Sequence, residues 1–130
     1  MSILIVRLPW PDSQLMPNRS KGRAWQGLSK LRHEQRTAGE VCTQAALEAT
    51  GPQEWAGNIP VSLVYMAPDK RHRDLDNLLA ASKPILDGLA QALGVDDKRF
   101  KPLMVDSVYA GGEGCLMAAV GIEMVQGVCK

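Results

Sequence analysis

Hydrophobic and polar positions change period several times along the chain, and each change predicts an element. Residues 2–8 (Ser-Ile-Leu-Ile-Val-Arg-Leu) form a short apolar run that predicts a first strand. Pro9 and Pro11 end it, because proline fixes φ and has no amide to donate. Residues 11–27 are polar and contain Pro17, Asn18, Gly22 and Gly27, which predicts a loop. A loop of that length in a small domain is often functional. From about Ser29 to Thr50, the residues Ala38, Val41, Cys42, Ala45, Ala46 and Ala49 recur at helical spacing. Their small side chains let such a helix lie close on a sheet, and Gly51-Pro52 stops it. Residues 61–66 alternate as a second strand ahead of Pro68. Residues 76–93 carry Leu78, Leu79, Ile85, Leu86, Leu89 and Leu93 on one helical stripe, with Pro84 inside it to kink or split the helix. Residues 103–109 and 115–125 are β-rich and joined by Gly-Gly-Glu-Gly, a hairpin signal. The order β-α-β-α-β-β predicts a single α+β domain over residues 1–130: a mixed four-stranded sheet with two main helices packed on it.

Composition narrows the class. At 130 residues and 45% apolar content, the chain suits one globular domain that needs no covalent staples. Cys42, Cys115 and Cys129 are odd in number and lack metal-ligand spacing, which argues against a structural zinc site and for a reducing compartment. The N-terminal apolar run is too short for a signal segment or a bilayer span. The expectation is a soluble, cytoplasmic protein with no membrane partner.

Net charge is only +1, but its distribution is uneven. Before residue 40 stand Arg7, Arg19, Lys21, Arg23, Lys30, Arg32 and Arg36 against Asp12 and Glu34. A second basic cluster is Lys70, Arg71, His72 and Arg73, while aspartates gather later in the chain. Such asymmetry suggests a polyanionic partner. The competing reading is a solvated surface.

The chemistry-bearing segment is Asp69-Lys-Arg-His-Arg-Asp-Leu-Asp-Asn77. Asp74 and Asp76 are two residues apart at a predicted strand-to-helix transition. In extended backbone, such positions point to the same side. Two carboxylates facing one point repel, and a divalent cation removes that cost. Mg²⁺ is commonly held by one or two carboxylates together with phosphate and water oxygens. The preceding cations would then bind flanking phosphates. Alternatively, Asp74 or Asp76 simply caps the following helix. A second acidic pair, Asp96-Asp97, follows that helix and either completes a metal site or forms an exposed turn.

Taken in order, these pieces resemble the RusA family of Holliday-junction resolvases. The resemblance lies in Leu8-Pro9-Trp10-Pro11, then Arg71-His72-Arg73-Asp74-Leu75-Asp76-Asn77-Leu78, then Lys83-Pro84-Ile85-Leu86-Asp87-Gly88-Leu89, then Asp96-Asp97. Met16-Pro17-Asn18-Arg19 is similar to family members that are often phage-encoded. The resemblance spans about residues 4 to 110 and implies that Asp74, Asp76 and Asp97 bind metal. The family also uses a lysine four residues after the second motif aspartate, where this chain has Ala80. Lys83 is the nearest candidate. On a helix, offsets of four and seven share a face and differ by about 4.5 Å of rise.

What the resemblance implies is phosphodiester hydrolysis with Mg²⁺, or Mn²⁺, and no small-molecule cofactor. The catalytic set is Asp74, Asp76, Asp97 and Lys83. Arg71, Arg73 and Asn77 contact DNA near the scissile bond, and Lys21, Arg23, Lys30 and Arg32 track an adjacent arm or form a solvated face. The implied substrate is a four-way junction. Its two-fold symmetry calls for paired cuts by a homodimer. The rival expectations are a non-catalytic binder of branched DNA with a degenerate site, and a nuclease selective for flaps or forks. Trp25, among basic residues, can stack on a base, though packing is the simpler role.

Overall fold

The computed structural model describes residues 3–17 and 25–121, with side chains described from Gly27 onwards in the second stretch. Strand β1 (Leu4–Pro9) is followed by a 3-10 turn at Ser13–Leu15. Helix α1 (Trp25–Thr50) leads to strand β2 (Ile59–Ala67). Two helices follow, α2 (Leu75–Ala81) and α3 (Lys83–Leu93). A 3-10 turn at Asp97–Arg99 precedes strands β3 (Phe100–Tyr109) and β4 (Cys115–Val120). The fold is one α+β domain with a mixed four-stranded sheet. Its order is β-α-β-α-α-β-β, because the second helical stretch divides at Ser82.

That division has a local cause. Pro84 sits at the start of α3, where its missing amide costs nothing. Ser82 closes α2: its Oγ donates to the Leu78 carbonyl at 2.7 Å and accepts from Tyr65 Oη at 2.9 Å. Both Ser82 and Tyr65 are fully buried. Burial also pushes the Tyr65 phenol up to about 12, so it remains a donor at any physiological pH.

The sheet order is β1-β4-β2-β3. Strand β4 runs antiparallel to both β1 and β2, whereas β3 lies parallel to β2 at the edge. The expected β3–β4 hairpin is therefore absent. The α2–α3 crossover delivers β3 parallel to β2, and the chain then passes the end of β2 before returning through the middle of the sheet. Ala110 and Gly111 donate to the Ala67 carbonyl at 2.9 and 3.0 Å as the connection crosses. Gly111, Gly112 and Gly114 all have positive φ, so the glycines serve a crossing rather than a tight hairpin. Pro9 is tolerated in β1, paired with Cys115, because β1 is an edge strand.

Alternation sends Leu4, Val6, Leu8, Val61, Leu63, Tyr65, Leu116, Ala118 and Val120 to one face, where Leu78, Ile85 and Leu89 meet them in the core. Helix α1 packs on α3 and β1. The α1–α3 crossing is close enough that a Cβ at Gly39 would overlap the Ile85 carbonyl, and one at Gly88 would overlap the Arg36 carbonyl. The buried face of α1 thus runs through Leu28, Gly39 and Thr43, with Cys42, Ala46 and Leu47 beside it. Val41, expected on that stripe, is 63% exposed, and Ala45 and Ala49 also face outwards. The predicted stripe is thus half right: Cys42 and Ala46 lie against the core, but its centre is shifted because the residue making the closest contact is a glycine. Helix α1 also begins earlier than expected, inside the segment read as a loop. No helix among the described residues is long and apolar enough to cross a membrane.

Candidate functional site

The segment leaving β2 is organised around Asp69, a residue the sequence reading did not single out. Its carboxylate accepts from the Arg71 amide at 2.9 Å, from Arg71 Nη2 at 3.1 Å and from Arg73 Nη2 at 2.9 Å. The Arg71 hydrogen bonds, joined by Arg73, hold the Asp69 carboxyl down to about 2. Arg73 also lies over the Trp10 ring, 5.1 Å from its centroid, and its side chain is only 17% exposed. Trp10 in turn meets Tyr65 edge-on at 6.1 Å and 87°. Trp10, from the Leu-Pro-Trp-Pro segment, therefore carries the basic loop on one side and the core on the other. Both arginines assigned to phosphates are engaged by Asp69. Arg71 keeps 75% of its side chain in solvent, whereas Arg73 is largely a structural clamp.

Asp74 occupies the N-cap position of α2 in extended conformation, yet its side chain makes no capping bond. Instead its Oδ1 lies 3.1 Å from His72 Nε2. Asp76 is exposed in the first helical turn, and Asn77 is half-buried. The extended-backbone argument for aiming both carboxylates at one point does not apply, because Asp74 is extended while Asp76 lies in the first helical turn. Backbone is extended only up to Asp74, and within a helix residues two apart do not share a face.

Lys83 opens α3. Its ammonium bonds Asp87 Oδ1 at 3.0 Å, one turn on, and the Asp97 carboxylate, fourteen residues on. Asp97 holds the lysine further towards its charged form, with Asp87 adding to this. Lys83 holds Asp97 below the usual carboxylate range. Asp96 is the turn's cap, accepting from the Lys98 amide at 2.9 Å. Beside Lys83 and Asp97 lies a pocket of about 220 Å³ walled by Val61, Leu79, Leu86, Phe100 and Leu103. The structure thus joins Lys83 to Asp97 and adds Asp87, which had not been singled out as a site residue. The i, i+4 relation of Lys83 to Asp87 was the available signal.

Among the described residues, no three His, Cys, Asp or Glu side chains converge to hold one ion. Asp97 is taken up by Lys83, so the expected set of Asp74, Asp76 and Asp97 is not a ready-made three-carboxylate cage. Asp74 and Asp76 alone supply exposed, hard oxygen donors. That donor chemistry fits Mg²⁺ or Mn²⁺ in a site completed by phosphate and water. On α1, Lys30 is exposed and Arg32 half-buried. Lys21, Arg23 and the Trp25 side chain lie outside the described residues.

No family model matches the chain. It is 35% identical, over 108 residues, to an uncharacterized protein of Xylella fastidiosa (strain Temecula1 / ATCC 700964). The aligned region takes in 82% of this chain and 69% of that relative. Shared identity at that level over most of both chains makes them members of one family, and the chain belongs to the family of this Xylella protein.

Proposed function

We propose that the chain is a metal-dependent, structure-selective endodeoxyribonuclease that acts as a homodimer and resolves four-way DNA junctions by paired, symmetrical phosphodiester cleavage in recombination and repair. One observation carries this reading. Asp97, singled out by its place in the motif, and Lys83, taken as the nearest candidate for the lysine missing at Ala80, are fourteen residues apart and meet through an ion pair beside a pocket. They belong to the same ordered series as the Asp74 and Asp76 carboxylates at the head of α2.

In this reading Asp74 and Asp76 hold the divalent cation, which when bound stabilises negative charge on the phosphate. His72 orients Asp74 through its 3.1 Å contact. Lys83, held in its charged form by Asp97 and then by Asp87, presents a fixed positive charge to the phosphodiester. Asp97 acts through that lysine. Arg71, three-quarters exposed, binds a flanking phosphate, and Asp69 fixes its direction.

Incubating the protein with a synthetic four-way junction, a matched duplex and a flap, each with Mg²⁺ or EDTA, tests the reading. Symmetrical nicks in the junction alone, and only with metal, are the expected result. Nicks in the flap alone would reassign the substrate. A second reading, a non-catalytic binder of branched DNA, draws support from the lack of three converging carboxylates among the described residues. Its signature is junction binding with no cut under any divalent metal.

A further inference from the structure

Strands β2 and β3 are parallel and end together, with Ala67 opposite Tyr109. The sheet edge that releases the Asp69–Asn77 segment therefore also presents Tyr109. Tyr109 is 58% exposed. Lys70 Nζ stands 5.3 Å from the centroid of that ring.

The neighbouring cations make the pair distinctive. Arg71 and Arg73 are both matched to Asp69, whereas among the described residues no carboxylate lies within ion-pair distance of Lys70. Its ammonium is held at an aromatic surface. An exposed ring beside a cation is complementary to a nucleotide whose base has left the stack. The ring offers a stacking face to any base, and the ammonium meets the adjoining phosphate. A base paired within duplex DNA keeps both faces covered and gains nothing from the ring.

We infer that Lys70 and Tyr109 grip an unstacked nucleotide of branched or single-stranded DNA and thereby discriminate it from duplex. This rests on the nuclease reading and names the feature of the substrate that the site recognises. Neither residue is placed in the cleavage machinery, so the grip contributes to binding and selectivity rather than to the chemical step.

The test pairs affinity with crosslinking. Binding of a four-way junction and of a matched duplex is measured for the wild type, Tyr109→Ala, Tyr109→Phe and Lys70→Gln. The wild type is also photocrosslinked to a junction carrying 5-iododeoxyuridine at the branch point. Junction affinity should fall about 5- to 150-fold in Tyr109→Ala. Duplex affinity should stay unchanged, and Tyr109→Phe should behave as wild type. Lys70→Gln should lower the salt dependence of junction binding by about one counterion. The crosslink should map to Tyr109. A junction-selective wild type whose selectivity survives Tyr109→Ala, or whose crosslinks map only elsewhere, overturns the grip alone. A wild type that binds no DNA overturns the nuclease reading and the grip with it.

Discussion

The guanidinium of Arg73 lies over the indole of Trp10, 5.1 Å from the ring centroid, and joins the loop after β2 to the residue that follows β1. These positions are 63 residues apart in sequence, yet the contact fixes the residue immediately before Asp74. A partly buried cation–π pair contributes about 0.5–2 kcal/mol. The Trp10 edge contact with Tyr65 adds roughly 0.5–1.5 kcal/mol. Trp10→Ala should therefore lower unfolding free energy by about 1–3 kcal/mol in urea titration. A double-mutant cycle with Arg73→Ala should show positive coupling, and additive effects would reject the contact.

The α1–α3 crossing has no room for a methyl group at Gly39 or Gly88, and the obstacle in each case is backbone rather than a movable side chain. Overpacking of this kind costs about 1–3 kcal/mol. Gly88→Ala and Gly39→Ala should each lower the unfolding free energy by that amount, read as a drop in urea midpoint at unchanged m-value. A midpoint equal to wild type in both would mean that the two helices lie further apart.

Asp69 gives a pH signature with a definite sign. Its carboxyl is held down to about 2 in the folded chain, so its contribution to stability is present above the ordinary carboxylate range. That contribution is lost as pH falls through the window from about 4 towards 2. Asp69→Asn should be less stable than wild type at pH 6, and the difference should shrink as denaturation is repeated at pH 4, 3 and 2. A difference that stays constant with pH would assign the loss to packing rather than to charge.

Asp76 is exposed and makes no contact that the fold depends on, so Asp76→Asn should fold normally and melt with the wild type. It should bind a four-way junction with unchanged affinity and lose metal-dependent cleavage by about a hundredfold or more, as loss of a main charge-stabilising group does elsewhere. Retained cleavage would remove Asp76 from the site.

Much of the fold was legible because strand and helix periods leave separate imprints. The alternation at residues 61–66 and the Leu78–Leu93 stripe correspond to β2 and to α2 and α3, and Pro84 marks their break. Strand pairing was not legible. Gly-Gly-Glu-Gly satisfies a hairpin and a crossing equally well, and only the parallel placement of β3 decides between them. The site divides in the same way. Motif order singled out Asp97, and the departure at Ala80 led to Lys83, but neither revealed the ion pair that joins them. Spacing suggested a strand-like alternation for Asp74 and Asp76, and the onset of helix at Leu75 replaces it with an N-cap and a first-turn position. Asp69 went unnoticed because its role is to collect arginines already assigned to another partner. Tyr109 gave no signal, because a tyrosine closing a strand looks like an ordinary β residue until its exposure is known.

The insertion of β4 between β1 and β2 has a consequence for biosynthesis. Among the described strands, β1 hydrogen-bonds to β4 alone, so Leu4–Pro9 is made first but must wait for Cys115–Val120 before it has a neighbour in the sheet. While the ribosome is still translating the residues between them, the backbone of Leu4–Pro9 has no strand to pair with, and its apolar face of Leu4, Val6 and Leu8 stays uncovered. Completion of the sheet is thus deferred until Cys115–Val120 has emerged, and a nascent chain stalled before Cys115 presents an unpaired, aggregation-prone strand to the quality-control machinery.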